Sequence, residues 1–287
     1  MCGIIGFTST TKKPELIEKF LKELSHRGPD HQEYIEIDLG NYYLYLGSTR
    51  LTIRGDSSCN MPMLNKKGDC IVYNGEIFDV KALSKEYELT LKKNDTFYLL
   101  DFLSKEHFDL NKINGMFSFA FYNKSQQSLT LARDRFGIKP LWYTNFNDEF
   151  YFSSEQHSLI NLFNVKDVSN ENLYNTLIFN GVTKANNIIP KIYQLKPGHK
   201  LLLDSNKKTS VEKFYNSIGI NTSTKDTSIK NFEDIMLEVL EDHLDADTQV
   251  DMFLSGGIDS SILAYLTKKK LNKELRHFSL KFSNKSF

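Results

Sequence analysis

Between residues 115 and 153 the sequence alternates apolar side chains with small or polar ones. The run MFSFAFY is followed by SLTLAR, LWYT and EFYFSS, and short polar segments separate these runs. A period of two residues is typical of strands that bury one face, and the short connections favour antiparallel pairing. Similar apolar runs lie between Tyr42 and Tyr73. The chain up to residue 205 is therefore predicted to have an α+β fold built on antiparallel sheet.

Helical periodicity occurs within the same part of the chain. In residues 14–24 the apolar side chains share one helical face, which comprises Leu16, Ile17, Phe20, Leu21 and Leu24. Pro14 suits the first turn of a helix, and the pattern predicts that this helix ends near His26. Two further helices are predicted around residues 79–88 and 95–106.

The composition changes after Pro197 and Gly198. Residues 206–230 are rich in Ser, Thr, Asn and Lys, which is typical of a linker. The next residues predict, in order, an amphipathic helix, a strand (QVDMFL), a glycine turn (SGGIDSS), a helix and a strand (RHFSLKF). Strand, helix and strand in this order form a βαβ unit, which begins a parallel sheet.

The predicted organisation is thus a first domain over residues 2–205, a linker over 206–230 and an incomplete second domain over 231–287. A single βαβ unit cannot cover both faces of a parallel sheet. We therefore expect either that the chain is a fragment or that another polypeptide completes the second domain.

Lysine plus arginine and aspartate plus glutamate both total 36 residues, so the charge balance predicts neither nucleic acid nor an anionic membrane as a partner. No apolar run approaches the roughly 20 residues that span a bilayer, and no leader pattern opens the chain. A cytoplasmic location is expected. Cys2, Cys59 and Cys70 lack CxxC spacing, which favours free thiols over a disulfide framework or a zinc site.

Cys2 is the first candidate for chemistry. A small second residue normally permits removal of the initiator methionine, which would leave a thiol beside a free α-amine. An α-amine has a reference pKa of roughly 7.7 to 8.0, so it can accept the thiol proton near neutral pH. If Met1 stayed in place, this base would be lost. Taken alone, a second-position cysteine is an ordinary thiol in most proteins.

Several short motifs accompany Cys2 along the chain. They are CGIIG at 2–6, RGPD at 27–30, RL at 50–51, NGE at 74–76 and RDRFGIKP at 133–140. Together they resemble the N-terminal nucleophile glutamine amidotransferases. LSGGIDSS at 254–261 narrows the resemblance to the glutamine-hydrolysing asparagine synthetase family. The resemblance covers essentially the whole chain, with roughly the first half of the family's architecture present.

The resemblance implies an αββα sandwich of the N-terminal nucleophile hydrolase class, followed by the start of an α/β domain of the ATP-pyrophosphatase type. It also implies that Cys2 is the nucleophile that attacks the carboxamide of glutamine. Asn74, through its side-chain amide, and Gly75, through its backbone N–H, match the oxyanion-hole donors. Arg50 matches the residue that holds the α-carboxylate of glutamine, and Asp95 the residue that holds its α-ammonium group.

The glutamine-binding residues implied by the resemblance are Arg50, Leu51, Thr52, Ile53, Arg54, Asn74, Gly75, Glu76 and Asp95. Without that context, Asn-Gly is the strongest short signal for a hairpin turn, and an Asp before a helical run is an ordinary N-cap. His26 and His31 flank the RGPD motif, and we interpret both as loop or packing residues.

The glycine turn between strand and helix is predicted to bind phosphate. Paired glycines there expose backbone N–H groups at a helix N-terminus, and serine hydroxyls add donors. The turn is not a Walker A motif, because no Gly-Lys-Ser or Gly-Lys-Thr follows. It resembles the pyrophosphate loop of enzymes that split ATP into AMP and pyrophosphate. The implied ATP-binding residues are Leu254, Ser255, Gly256, Gly257, Asp259, Ser260 and Leu280, with Asp259 as a ligand of Mg²⁺.

The function expected from the resemblance is that of a glutamine-dependent amide synthetase. Ammonia from glutamine would amidate a carboxylate that ATP activates, aspartate in the standard case. Alternatives are a glutaminase subunit or truncated paralogue that serves another acceptor, such as a sugar acid, and a non-catalytic remnant that acts as an interaction module. A homodimer or a separate synthetase chain is a further possible partner. The phosphoribosyl and hexosamine types would carry a different second domain, and residues 255–261 speak against them.

Overall fold

The computed structural model describes residues 1–53, 55–78, 80–89, 94–163, 168–179, 189–216 and 229–281. The chain forms two compact units, Met1–Ser217 and Ile218–Phe287. Each unit is described by itself below. Within the described part of the chain, no helix is long and apolar enough to cross a membrane.

The first unit is built on two antiparallel sheets of six strands each. Its strands are β1 (Gly3–Ser9), β2 (His31–Asp38), β3 (Tyr43–Arg50), β4 (Met63–Leu64), β5 (Cys70–Ile77), β6 (Gly115–Asn123), β7 (Ser128–Arg133), β8 (Trp142–Phe146), β9 (Glu149–Ser153), β10 (Tyr193–Gln194), β11 (His199–Leu203) and β12 (Thr209–Lys213). Sheet one has the order β10-β8-β9-β1-β3-β2, and sheet two the order β12-β11-β7-β6-β5-β4.

The helices of this unit are α1 (Pro14–Glu23), α2 (Val80–Glu86), α3 (Asp95–Leu103), α4 (Gln156–Phe163) and α5 (Asn170–Phe179). Helices cover the outer faces of both sheets, whereas α5 has no buried residue. Phe20 of α1 packs with Phe7 on the outer face of sheet one, and Phe102 of α3 belongs to the buried cluster on sheet two. A third cluster, which includes Val72 and Phe152, joins the inner faces of the two sheets. The layers are therefore helix, sheet, sheet and helix, as the resemblance implied.

The sequence patterns predicted most of these elements. The helix expected over 14–24 is α1, and the alternation between 115 and 153 is the antiparallel succession β6, β7, β8 and β9. The helices expected around 79–88 and 95–106 are α2 and α3. Each observed helix is shorter than its pattern by one to three residues.

The predicted linker over 206–230 needs a correction at its start. Residues Thr209–Lys213 form β12, which pairs antiparallel with β11, and the backbone N–H groups of Phe214 and Tyr215 donate to the carbonyl of Gly198. All five residues of β12 are exposed, because it is the edge strand of its sheet. Because neither face of this edge strand is buried, its residues need not alternate between apolar and polar. The composition of β12 therefore resembles that of a linker. Residues 217–228 lie outside the described residues.

The second unit contains the beginning of a parallel sheet. Its elements are α6 (Ile229–Leu244), β13 (Asp251–Phe253), α7 (Ile258–Tyr265) and β14 (Arg276–Phe278). Strands β13 and β14 are parallel neighbours with α7 between them in the chain, as the βαβ prediction requires. The guanidinium of Arg276 donates two hydrogen bonds to the Asp251 carboxylate, at 2.9 and 2.7 Å, across this pair.

The three cysteines are free thiols in different surroundings. Cys70 is fully buried between the two sheets, and Cys59 is also buried. Cys2, directly before β1, is partly exposed. Burial raises the pKa of the Cys70 thiol to about 12, because the thiolate would lose its hydration.

Replacement of Phe7 by alanine tests the packing of sheet one. The Phe7 ring stacks on Tyr45 with 4.7 Å between ring centroids and is fully buried. We expect Phe7→Ala to lower the free energy of unfolding by about 3 to 5 kcal/mol. The matched control is Phe179→Ala, because Phe179 is 64% exposed, and its effect should stay within about 0.5 kcal/mol. Denaturant titration measures both, and equal effects would contradict the described packing.

Selective alkylation tests the placement of the cysteines. Iodoacetamide reacts with thiolates, so the folded chain should be labelled at Cys2 well before Cys70. Peptide mass spectrometry after brief labelling at pH 8 measures the modified fraction of each thiol. Unfolding in denaturant should equalise the labelling, which provides the control. Labelling of Cys70 as fast as Cys2 in the folded chain would show that the two sheets do not enclose it.

Candidate active site

An open cleft lies beside Cys2 in the first unit. Its empty volume is about 610 Å³, including the part open to solvent. The cleft brings together most of the predicted glutaminase residues, namely Cys2, Arg50, Leu51, Ile53, Asn74, Gly75, Glu76 and Asp95. Thr52 is not part of the cleft wall, and Arg54 lies outside the described residues. Residues far apart in sequence are thus gathered at one place.

Cys2 is fixed at the edge of the cleft by its own backbone. Its carbonyl accepts a hydrogen bond from Nε of Arg27 at 3.0 Å, and its Sγ lies 3.8 Å from the carbonyl oxygen of Leu51. The neighbouring Gly3 opens β1, where an added Cβ would come within 2.6 Å of the Thr49 hydroxyl. The thiol is therefore held where strand β1 emerges from the centre of its sheet.

Arg27 is itself anchored by a carboxylate that the sequence analysis did not identify. Its NH1 group donates to Oε1 of Glu155 at 2.7 Å, and Arg27 is only 9% exposed. His26 and His157 also contact Glu155, at 3.1 and 2.9 Å. Burial favours the neutral carboxyl, but the hydrogen bonds from Arg27 and His26 outweigh it and hold the pKa of Glu155 below its ordinary value. Glu155 thus remains ionised and positions Arg27 behind Cys2.

The RGPD motif packs against the end of β3. An added Cβ at Gly28 would lie 2.4 Å from the backbone nitrogen of Arg50, so only glycine allows this approach. The Asp30 carboxylate accepts a hydrogen bond from the backbone N–H of Thr52 at 2.7 Å. The predicted residue Thr52 therefore contributes to the loop that follows Arg50 and not to the wall of the cleft. His31 interacts with Glu33 and is the first residue of β2, where it pairs with Arg50, so its interpretation as a loop residue is wrong.

Asn74 and Gly75 lie within β5 and do not form a hairpin turn. They pair with Ser118 and Phe117 of β6. Asn74 is 1% exposed, and its Nδ2 amide has no acceptor among the described residues. A buried donor without a partner is costly, so such groups commonly serve a ligand. An added Cβ at Gly75 would come within 2.3 Å of the Met116 carbonyl, which explains why glycine is needed here.

Arg50 and Asp95 both line the cleft, and each has protein partners. NH1 of Arg50 donates to the carbonyl of Asp56 at 2.8 Å, and the guanidinium also holds Gly55 and Asn60. Arg50 therefore stabilises the loop that borders the cleft. Its predicted contact with a substrate carboxylate stays a prediction.

Asp95 is the first residue of α3, and its neighbour Asn94 is the N-cap, accepting from the backbone N–H of Phe97 at 3.2 Å. The buried carboxylate of Asp95 accepts from the Tyr73 hydroxyl at 2.8 Å and from the Ile77 N–H at 3.1 Å. Burial, with the Asp95 charge, raises the pKa of Tyr73 well above its ordinary value, so this phenol stays a donor. Asn94, and not Asp95, therefore caps the N-terminus of α3.

The RDRFGIKP motif forms a rigid loop that carries a lysine to the cleft. The Asp134 carboxylate accepts from the N–H groups of Phe117, at 3.2 Å, and of Lys139, at 2.9 Å. Arg133 donates to the Lys139 carbonyl at 2.7 Å and to the Leu195 carbonyl at 2.8 Å. Lys139 itself lines the cleft and is 8% exposed. The motif was recognised in the sequence, but its lysine was not assigned to the site.

The predicted phosphate-binding turn lies in the second unit, between β13 and α7. Gly256 has a φ of +81°, which favours glycine, and the hydroxyls of Ser255 and Ser260 are 3.1 Å apart. The backbone N–H of Gly257, the N-cap of α7, approaches the Ser255 hydroxyl at 3.3 Å. Asp259 lies in the first turn of α7. Exposed N–H and hydroxyl donors at a helix N-terminus suit a phosphate group.

Leu254 and Leu280 flank this turn. The N–H of Leu254 donates to the Phe278 carbonyl at 2.8 Å, and Leu280 is 85% exposed. Within the described ranges, no three potential ligands are grouped for a metal ion. Mg²⁺ commonly binds one or two carboxylates together with phosphate oxygens and water.

Two family models match the chain. A model described as a glutamine amidotransferase domain matches residues 1–215, and a model described as asparagine synthase matches residues 231–287. Solved structures give the same fold. The chain aligns over 100% of its length with 67% of the allosteric regulatory enzyme of purine biosynthesis, at a TM-score of 0.56 and 14% identity. At that identity the likeness concerns the fold alone, and it confirms the predicted N-terminal nucleophile sandwich.

Curated relatives include asparagine synthetase [glutamine-hydrolyzing] 1 of Bacillus subtilis, 28% identical over 100% of this chain and 47% of the relative. Putative asparagine synthetase [glutamine-hydrolyzing] 2 of Methanocaldococcus jannaschii is 28% identical over 99% of this chain and 60% of the relative. Amidase chry2 of Gibberella zeae is 28% identical over 92% and 42%. The chain thus spans about half the length of the curated relatives it matches. It belongs to the glutamine amidotransferase family and shares the two-part organisation of the glutamine-hydrolysing asparagine synthetases.

Proposed function

We propose that the first unit hydrolyses glutamine with Cys2 as its nucleophile. The observation that carries this proposal is the Asn74 amide, which is buried beside the Cys2 cleft and has no acceptor among the described residues. In the proposed complex, this amide and the Gly75 N–H donate to the oxyanion that forms from the substrate carboxamide. Arg50 binds the α-carboxylate of glutamine, and Asp95 together with Glu76 attracts its α-ammonium group.

The proposed reaction begins when the α-amine of Cys2, freed by removal of Met1, accepts the thiol proton. The thiolate attacks the carboxamide carbon, and a C–S bond forms while the carbonyl π electrons move to oxygen. When the carbonyl re-forms, the C–N bond breaks and the nitrogen takes the proton back from the amine, so that ammonia leaves. Water then adds to the thioester, which releases glutamate and restores the thiol.

The N-terminal amine is placed in surroundings that favour its neutral form. Burial, with the positive charges of Arg27 and Lys139, lowers the pKa of the Met1 amine below its ordinary value, against the opposing charges of Cys2 and Asp30. An amine that loses its proton more readily is better able to act as a base near neutral pH. After removal of Met1, the new amine of Cys2 lies one residue deeper in the same region.

We further propose that the complete protein uses this ammonia to amidate a carboxylate activated by ATP. The turn at 255–261 binds the pyrophosphate part of ATP through its N–H and hydroxyl donors, and Leu254 and Leu280 contact the nucleotide. Asp259 supplies one oxygen ligand to Mg²⁺, which neutralises phosphate charge. Aspartate is the standard acceptor, and relatives named as amidases leave room for another carboxylate, such as a sugar acid.

Glutamate release tests the glutaminase. Protein shown by intact mass to begin at Cys2 should release glutamate from glutamine, and Cys2→Ala should abolish the release. Asn74→Ala should lower kcat by about 10² to 10³, because one oxyanion donor is lost, while KM changes little. The control is Asn65→Ala, since Asn65 lies outside the cleft and bonds to Asp69. An Asn74→Ala variant with native kcat would exclude the proposed oxyanion hole.

Mass balance tests the synthetase step in the complete protein. With glutamine, ATP, Mg²⁺ and aspartate, equal amounts of AMP, pyrophosphate and asparagine are expected. Asp259→Asn should slow AMP formation by at least about tenfold and leave glutamate release intact, because it removes one metal ligand from the other unit. Other carboxylates, including sugar acids, are tested in parallel. If no carboxylate supports release of AMP or pyrophosphate, the synthetase proposal is wrong even where glutaminase activity persists.

A further inference from the structure

Lys139 is a largely buried lysine that lines the same cleft as the nucleophile and has no partner among the described residues. It is 8% exposed and lines the same cleft as Cys2 and Glu76. Its backbone is fixed on both sides, by the Asp134 carboxylate and by Arg133. Within the described part of the chain, its ammonium group makes no hydrogen bond or ion pair. The ammonium atom is not among the fully enclosed polar atoms of the described residues, so it reaches the open cleft while most of its side chain is buried.

Several charged groups interact with the Lys139 ammonium. Glu76 on β5 and Asp134 in its own loop attract it, Arg27 opposes it, and the charge that Cys2 carries as a thiolate also attracts it. Burial lowers the pKa of Lys139, and Glu76 raises it. Arg50 and Asp95 lie elsewhere in the cleft wall. Of these groups, Cys2 is the one whose charge changes during the proposed reaction.

Resting on the proposed glutaminase, we propose that Lys139 is a further electrostatic residue of the active site, whose ammonium favours the thiolate of Cys2. A nearby cation lowers the energy of an anion more than that of the neutral thiol. It also favours the neutral form of the adjacent α-amine before the reaction, so that the amine is available as a base. The rigid RDRFGIKP loop serves to hold this ammonium in place.

The effect has a defined sign. Removal of a positive charge makes the thiolate less favourable, so a higher pH is needed to form it. A nearby unit charge in a partly buried site commonly shifts a titration by about one pH unit. The pH profile of Cys2 alkylation should therefore move upward by about one unit in Lys139→Met. Methionine retains the length and apolar stem of lysine, so the packing is largely preserved.

The experiment is alkylation of Cys2 by iodoacetamide between pH 5 and 10, read by peptide mass spectrometry on protein that begins at Cys2. Lys139→Met and Lys139→Gln should both show the upward shift, and Lys139→Arg should restore the native profile. Lys200→Met is the matched control, because Lys200 lies on β11, pairs with Glu212 and is not part of the cleft. A circular dichroism melt identifies any variant that fails to fold, and the glutamine variant then replaces the methionine variant.

A native profile in folded Lys139→Met overturns the proposal. So does a shift that disappears in the Glu76→Gln background, because Lys139 would then act only by neutralising Glu76. The labelling does not require turnover, so it is independent of the proposed function. If the native chain releases no glutamate but the shift is present, the glutaminase fails and the inference about the thiol stands. If glutamate is released, the acid limb of the pH profile of glutamate release should also move to higher pH in Lys139→Met.

Discussion

The site depends on the position of the first strand in its sheet. β1 pairs with β3 along all seven of its residues and with β9 on its other side, and every residue of β1 is buried. A strand enclosed on both edges and both faces cannot shift its register without exposing its whole apolar set. The residue directly before it is consequently held at a fixed point. That residue is Cys2, and its distance from the cleft is set by the packing of the whole sandwich.

The second sheet supplies the donors for the same cleft by an equally strict constraint. Gly75 has no room for a Cβ, because the Met116 carbonyl of β6 lies too close. This close approach lets Asn74 remain buried within the strand with its amide directed away from the ladder. The first sheet holds the nucleophile and the second holds the candidate oxyanion donors. The inter-sheet core that includes Val72 and Phe152 keeps the two at a constant separation.

Patterns with a short period were sufficient for much of the fold. The alternation after Gly115 and the helical face of α1 are local signals, and both elements formed as expected. β12 was missed because an edge strand needs no apolar alternation, and its pairing with β11 becomes visible only in three dimensions. The site shows the same division. Cys2 and Asn74 were predicted from their motifs and Asp95 from the family resemblance, and all three line the cleft. Glu155 is joined to Cys2 through Arg27, a contact that no local pattern encodes.

The sequence motifs do not explain why positive charges lie around the N-terminus. Two cations, Arg27 and Lys139, lie near the terminal amine, and only Arg27 has a carboxylate partner. A carboxylate paired with Lys139 would neutralise its charge. It would also leave the thiolate without a compensating charge when it forms. A cation held by a rigid loop is preorganised for that charge, so no reorganisation is needed in the reaction step. Arg133 and Asp134 contribute to this preorganisation, because their side chains form hydrogen bonds with the backbone of the loop that carries Lys139.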